Sequence, residues 1–173
     1  TTVTSIGYEA FLGCPFTAIS LPGTIETIGE RAFAYNYNLQ TLELREGLQS
    51  IGVCAFYCCN GTDGDTGEYR EGLLNATIVV PETVAYIGAG AFSVPYNADA
   101  NPGLTLKILN RDLDLKEESG ECISILGSVA HATIYGYHYK SDGATETDLY
   151  AYVQNLIEQS SENLSCNYSW EDL

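Results

Sequence analysis

The sequence predicts an α/β-type repeat solenoid: a parallel β-sheet ladder, irregular turns and a C-terminal helix cap. Three observations carry this reading. The hexapeptide Ile-Gly-x-x-Ala-Phe occurs four times, beginning at residues 6, 28, 51 and 87. A β-rich segment, Ala18 to Pro22, Thr41 to Arg45 and Thr77 to Pro81, ends six residues before the second, third and fourth copies. Leu149, Tyr150, Val153, Leu156 and Ile157 then recur at helical spacing near the C-terminus. Two anchors at a fixed separation define a coil of 22 or 23 residues, and a unit that short must stack on its neighbours to bury an apolar side.

Each element has its own reason. In the short segments, Ile19 and Leu21, Leu42 and Leu44, Ile78 and Val80 alternate with Ser20, Glu43 and Val79. Period-two alternation sends the first set inward and the second onto an open sheet face. Pro22 and Pro81 stop their strands by removing a ladder donor. The hexapeptide is read as the turn: Gly relaxing the backbone, Ala allowing close packing, and Phe11, Phe33, Phe56 and Phe92 filling the centre as a ladder. The step of 36 residues between the third and fourth copies exceeds the period, which places an insert near residues 60–72.

After residue 109 the repeat fades, as terminal units of a solenoid do. Leu106 to Asn110 and Leu113 to Leu115 read as two short strands, and Thr133 to Tyr137 as the strand that closes the sheet. A helix over about 144–159, capped by Asp142 or Thr145, seals the last coil, and Ser165 to Trp170 suits a further edge strand. We therefore expect one domain over 1–173, with repeats in 1–109 and a capping region in 110–173.

These motifs resemble the BspA-type (Treponema pallidum-type) leucine-rich repeats of surface proteins in host-associated bacteria and some protists. Cys14, Asn36 and Cys59 stand where that pattern has Cys or Asn, and Leu39-x-x-Leu42-x-Leu44 matches its strand. Arg45 departs from the pattern's Pro. The resemblance implies a right-handed leucine-rich repeat and a secreted or cell-surface adhesion role, with a host extracellular-matrix or surface protein as partner. It also implies a signal peptide removed upstream of Thr1.

Charge narrows the functions. With 23 acidic and 7 basic side chains, the formal net charge is −16, which repels nucleic-acid phosphates and anionic membranes. No apolar run approaches the roughly 18 residues of a spanning helix. Neither His131 nor His138 belongs to a nucleophile, zinc or phosphate-binding motif, so no catalytic residue and no cofactor is assigned. The insert offers Asp63, Asp65 and Glu68, oxygen donors of the kind Ca²⁺ prefers, but without the spacing of an EF-hand; it reads as a solvated loop and no metal is assigned. Cys14 and Cys59 read as buried free thiols, Cys54 as outward-facing, and Cys122 with Cys166 as able to bridge the cap.

What remains is recognition. Ser20, Glu43, Val79, Lys107 and Tyr135 fall on the outward side of successive strands and differ in chemistry, so they form the candidate ligand-binding row of a non-enzymatic protein-binding module. Thirteen tyrosines supply rigid amphipathic contact surface. With the carboxylates they favour the other class, a carbohydrate-binding module, although the sequence shows no fixed aromatic platform. The rival location for the recognition surface is the tyrosine-rich C-terminal edge around Tyr137 and Tyr139.

Overall fold

The computed structural model describes residues 2–59, 73, 76–93, 103–113, 115, 125–126, 131–162 and 167–173. Its elements are β1 (Ser5–Ile6), β2 (Ala18–Ser20), β3 (Thr27–Ile28), β4 (Thr41–Glu43), β5 (Ser50–Ile51), β6 (Thr77–Val80), β7 (Tyr86–Ile87), β8 (Leu104–Ile108), β9 (His131–Gly136), α1 (Asp148–Glu162) and β10 (Asn167–Asp172). All strand pairs are parallel. The chain is a repeat solenoid. One ladder runs β1-β3-β5-β7, and a second side of the coils carries β2-β4 and then β6-β8-β9-β10.

The first ladder is a correction. The Ile-Gly pair was read as the start of a turn, yet each Ile is the inward residue of a two-residue strand, in register Ile6, Ile28, Ile51, Ile87. The turn begins at the Gly that follows. Its glycine is there for room, since none of Gly7, Gly29, Gly52 and Gly88 has a positive φ. A Cβ on Gly52 would lie 2.6 Å from the Glu30 nitrogen and 2.7 Å from the Gly29 carbonyl carbon, and a Cβ on Gly29 would lie 2.8 Å from the Gly7 carbonyl carbon. Gly7, in the first coil, has no such neighbour. Side chains are excluded because adjacent coils touch backbone to backbone at this point.

The turns themselves alternate two hydrogen-bond directions. Glu9, Phe11 and Gly13 donate their N–H groups to Glu30, Ala32 and Ala34 of the next coil. Ala10, Leu12 and Cys14 donate back to Gly7, Glu9 and Phe11 within their own coil. Re-aiming every second N–H takes left-handed backbone at two places per turn. Glu9, Arg31, Cys54 and Gly90 hold the first, and Gly13, Tyr35 and Cys58 the second. Non-glycine residues are strained there, and the coil-to-coil bonds offset that strain.

Inside, the phenylalanine rings stack as the repeat predicts. Centroids of Phe11 and Phe33 are 5.2 Å apart, Phe33 and Phe56 5.4 Å, and Phe56 and Phe92 5.7 Å, with the last two pairs inclined by 1°. Phe11 is 39% exposed, however, so it ends the ladder rather than filling its centre; Phe16 meets it edge-on at 5.9 Å. Around the ladder one buried cluster extends from Ile6 to Val153.

The Cys/Asn position carries a hydrogen bond as well as packing. Asn36 Nδ2 donates to the Phe11 carbonyl at 2.8 Å and to the Phe33 carbonyl at 2.6 Å. The Cys59 thiol donates to the Phe33 carbonyl at 3.0 Å. Both side chains thus satisfy the Phe carbonyl of the preceding coil, a task for a compact donor. Cys59 and Cys58 are buried, whereas Cys14 and Cys54 are half-buried. Burial pushes the Cys58 thiol up to about 11, and it pushes Cys59 higher still.

At the C-terminal end the sheet closes on β10, not on β9, with Asn167 to Asp172 aligned against His131 to Gly136. Leu113 and Leu115 pack against the core but lie in no strand; β8 already supplies this coil's ladder strand. Helix α1 starts later than the spacing predicts because neither Asp142 nor Thr145 caps it. Thr147 does: its hydroxyl oxygen accepts the Tyr150 N–H at 3.1 Å and donates to the Tyr137 carbonyl at 2.7 Å. That double contact ties the helix start to the end of β9. Leu149 and Val153 face the core, with Tyr152, Leu156 and Ile157 beside it. The insert near 60–72, Cys122 and Cys166 lie outside the described residues.

Three changes test this packing. Phe33→Ala should lower stability by about 3–5 kcal/mol in a urea titration, because rings on both sides hold the cavity open. Gly52→Ala should cost about 1–3 kcal/mol, since only backbone can give way, while Gly7→Ala leaves the midpoint near wild type. The buried thiols bind their protons more tightly folded than unfolded. Their contribution is complete below the ordinary thiol value of about 8.5–9 and declines as pH rises through about 11. The urea midpoint should therefore fall between about pH 8 and pH 10.5, and Cys59→Ala should flatten that fall.

Candidate functional site

Strand register aligns the five predicted residues in two groups on the outward side of their strands. Ser20 aligns with Glu43 between β2 and β4. Val79, Lys107 and Tyr135 align across β6, β8 and β9. The two groups meet where β4 adjoins β6, and Glu46 and Thr83 bond across that step: the Glu82 N–H donates to Glu46 Oε1 at 3.3 Å and Thr83 Oγ1 donates to the Leu48 carbonyl at 2.7 Å. Inward neighbours in the same strands, Ile19, Leu42, Ile78, Leu106 and Ile134, are buried, which fixes which way each member of the row can turn.

The row is not a set of independent side chains. The Ser20 hydroxyl donates to Glu43, and Arg45 donates to both, 3.2 Å from Ser20 Oγ and 3.2 Å from Glu43 Oε1. The Ser20 hydroxyl, and after it Arg45, holds the Glu43 carboxyl below its ordinary range. At the other end, Lys107 Nζ sits 5.3 Å from the centre of the Tyr135 ring. The Glu171 carboxylate beside Tyr135, by its charge and then by a hydrogen bond, pushes the phenol upward. Val79, 41% exposed, separates the two polar groups. The face therefore reads acid and base, then apolar, then cation on ring, then acid.

Reasoning from sequence missed three participants. Arg45 was noted only as a departure from proline; its side chain is what neutralises Glu43. Glu171 enters because β10 pairs with β9 in a register that the tail's composition does not reveal. The third is a second row, two residues earlier in each strand: Ala18, Thr41, Thr77, Thr105, Thr133 and Ser169. Its hydroxyls flank the first row, and Ser169 Oγ donates to Thr133 Oγ1 at 3.1 Å. The recurring Thr two places before Glu43, Val79, Lys107 and Tyr135 was a visible signal for it.

Elsewhere, the rival tyrosines sit past the end of β9. Tyr139 is 53% exposed and forms an isolated antiparallel bridge with Glu146, so α1 does not cover it, while Tyr137 is half-buried. Tyr35 and Tyr57 meet edge-on at 5.6 Å on the turn side, with Arg31 over Tyr35 and paired to Glu9. His131 lies on β9. Among the described residues no cluster of three His, Cys, Asp or Glu side chains is placed to hold a metal ion.

Comparison with protein families assigns the repeats. The model described as "BspA type leucine rich repeat region (6 copies)" matches residues 1–66. Over residues 1–66 the chain is similar to BspA-type leucine-rich repeats. Beyond that match, the Ile87 hexapeptide adds β7 to the first ladder, and β6, β8, β9 and β10 form a four-stranded parallel sheet of their own. No curated protein and no solved structure gives a match. Leucine-rich repeats of this type are in general non-enzymatic scaffolds for protein–protein interaction and are typically surface-associated. Among the described residues no helix is long and apolar enough to cross a membrane.

Proposed function

We propose that this BspA-type repeat chain is a single-domain, non-enzymatic recognition module, secreted or displayed at a cell surface, that holds a protein partner on the open strand face. The observation that carries this reading is the row itself. Val79, Lys107, Tyr135 and Glu171 stand in fixed register across β6, β8, β9 and β10, and Glu43 with Arg45 adjoins them from β4, all over a packed interior. A rigid, chemically graded surface loses little conformational freedom when it binds, and an aromatic ring beside an apolar side chain offers a site for a partner's anchor. A host extracellular-matrix or surface protein, the partner that adhesion requires, suits a face bearing charges of both signs.

The test is binding of the full chain to a panel of extracellular-matrix proteins by surface plasmon resonance. Tyr135→Ala should weaken the captured partner at least tenfold and Glu43→Lys about as much, with melting temperatures unchanged. Affinity should drop as salt rises, because exposed charges are screened over about 8 Å at physiological ionic strength. Should both strand-face variants bind as wild type while Tyr139→Ala weakens the complex, the strand face is not the site.

A further inference from the structure

Where β8, β9 and β10 end, their continuations converge on an open cleft of about 440 Å³. Its walls include Arg111 after β8, Tyr137, His138, Tyr139 and Lys140 after β9, and Asp172 at the end of β10. The volume falls within the roughly 300–1,000 Å³ of small-ligand sites, and the place, beyond the carboxyl ends of parallel strands, is one that sheets commonly use for ligands. We propose that this cleft binds a carboxylate-bearing sugar, a hexuronate residue of an acidic glycan. It lies apart from the strand-face row and does not depend on it.

Each part of such a ligand meets a matching group. In a chain with only seven basic side chains, two, Arg111 and Lys140, line this one cleft. The Arg111 guanidinium lies 4.3 Å from the centre of the Tyr137 ring and, among the described residues, makes no ion pair; stacking holds its planar fork ready for bidentate carboxylate binding. His138 Nδ1 is 2.6 Å from Asp172 Oδ1, which in the neutral ring places the proton on Nδ1 and leaves Nε2 to accept from a sugar hydroxyl. The Tyr139 ring, 3.7 Å centre to centre from His138 and exposed, gives an electron-rich face for the C–H side of a pyranose.

The loop is built before any ligand arrives. Lys140 and Thr147 donate backbone N–H groups to Thr145 and His138 at 2.9 Å each, and the Ser141 N–H donates to Asp112 Oδ1 at 3.1 Å. Charge also selects among anions. Asp172 lines the cleft and Asp112 accepts the Ser141 N–H beside it, so each added negative charge on a ligand meets repulsion, and a phosphate dianion is disfavoured more than a single carboxylate.

Titration of the isotopically labelled full chain, followed by two-dimensional NMR, tests this with methyl β-D-glucuronide, methyl β-D-glucoside and inorganic phosphate as probes. The glucuronide should shift backbone resonances of residues 137–143 saturably in the millimolar range, with the glucoside at least tenfold weaker. Arg111→Gln should weaken the glucuronide about tenfold, Arg111→Lys should recover only part of that loss, and Tyr139→Ala should weaken both sugars. Tyr135→Ala on the strand face should change neither titration, which separates this site from the protein-binding face. Equal affinity for glucuronide and glucoside, tighter binding of phosphate, wild-type glucuronide affinity in folded Arg111→Gln, or no shift in 137–143 would each overturn the assignment.

Discussion

Backbone contact between successive coils is the constraint from which the remaining geometry follows. At the Ile-Gly step the coils approach so closely that a single Cβ at Gly29, Gly52 or Gly88 would collide with the main chain of the coil before it. That approach puts the turn N–H groups of one coil within reach of the carbonyls of the next, at 2.8 Å for Phe11 to Ala32 and 2.9 Å for Phe33 to Ala55. Parallel strands demand a spacing near 4.8 Å, and flat rings can repeat near that distance when they are offset. The Phe ladder is therefore a consequence of the backbone spacing as much as a cause of it. Leu or Ile could supply similar apolar area, but not a flat layer that repeats in step with the strands.

The same spacing explains why the turns tolerate awkward residues. Arg31 and Tyr35 adopt left-handed backbone, which glycine would accept more readily. Each gains a coil-to-coil hydrogen bond in return, to Val53 and Tyr57, and each adds a side-chain contact on the turn surface. Likewise, Asn36 and Cys59 differ in size and polarity yet occupy equivalent sites, because both can donate to a Phe carbonyl one coil back. A rule that looks compositional in the repeat is a hydrogen-bond requirement in the fold.

A rigid ladder then turns sequence variation into surface chemistry. The inward residue of each strand is buried, so the outward residue can change from Ser20 to Glu43, Val79, Lys107 and Tyr135 without altering the scaffold. The variation is not random with respect to neighbours. Opposite charges and a cation with a ring sit side by side, Glu43 with Arg45 and Lys107 with Tyr135, which keeps a strongly acidic chain from repelling itself along the sheet.

Local sequence determined the architecture here because a repeat states the same rule several times. Four Ile-Gly-x-x-Ala-Phe copies and the alternation in three segments were enough to place β2, β4 and β6, their inward residues, the Phe ladder, and the outward position of Ser20, Glu43 and Val79, while the later segments around Lys107 and Tyr135 gave the other two. The helix and the final strand were legible from apolar spacing, though displaced by a few residues, since the cap is chosen by a contact: Thr147 wins over Asp142 and Thr145 because its hydroxyl also reaches the Tyr137 carbonyl. What the tertiary structure alone decided are relations between residues far apart in the chain. Arg45 joins Ser20, Glu171 joins Tyr135, and Arg111, His138 and Asp172 meet at one cleft, separated by 27 and 34 positions along the sequence. No local pattern encodes those meetings, because they are set by register between strands and by how three strand ends converge.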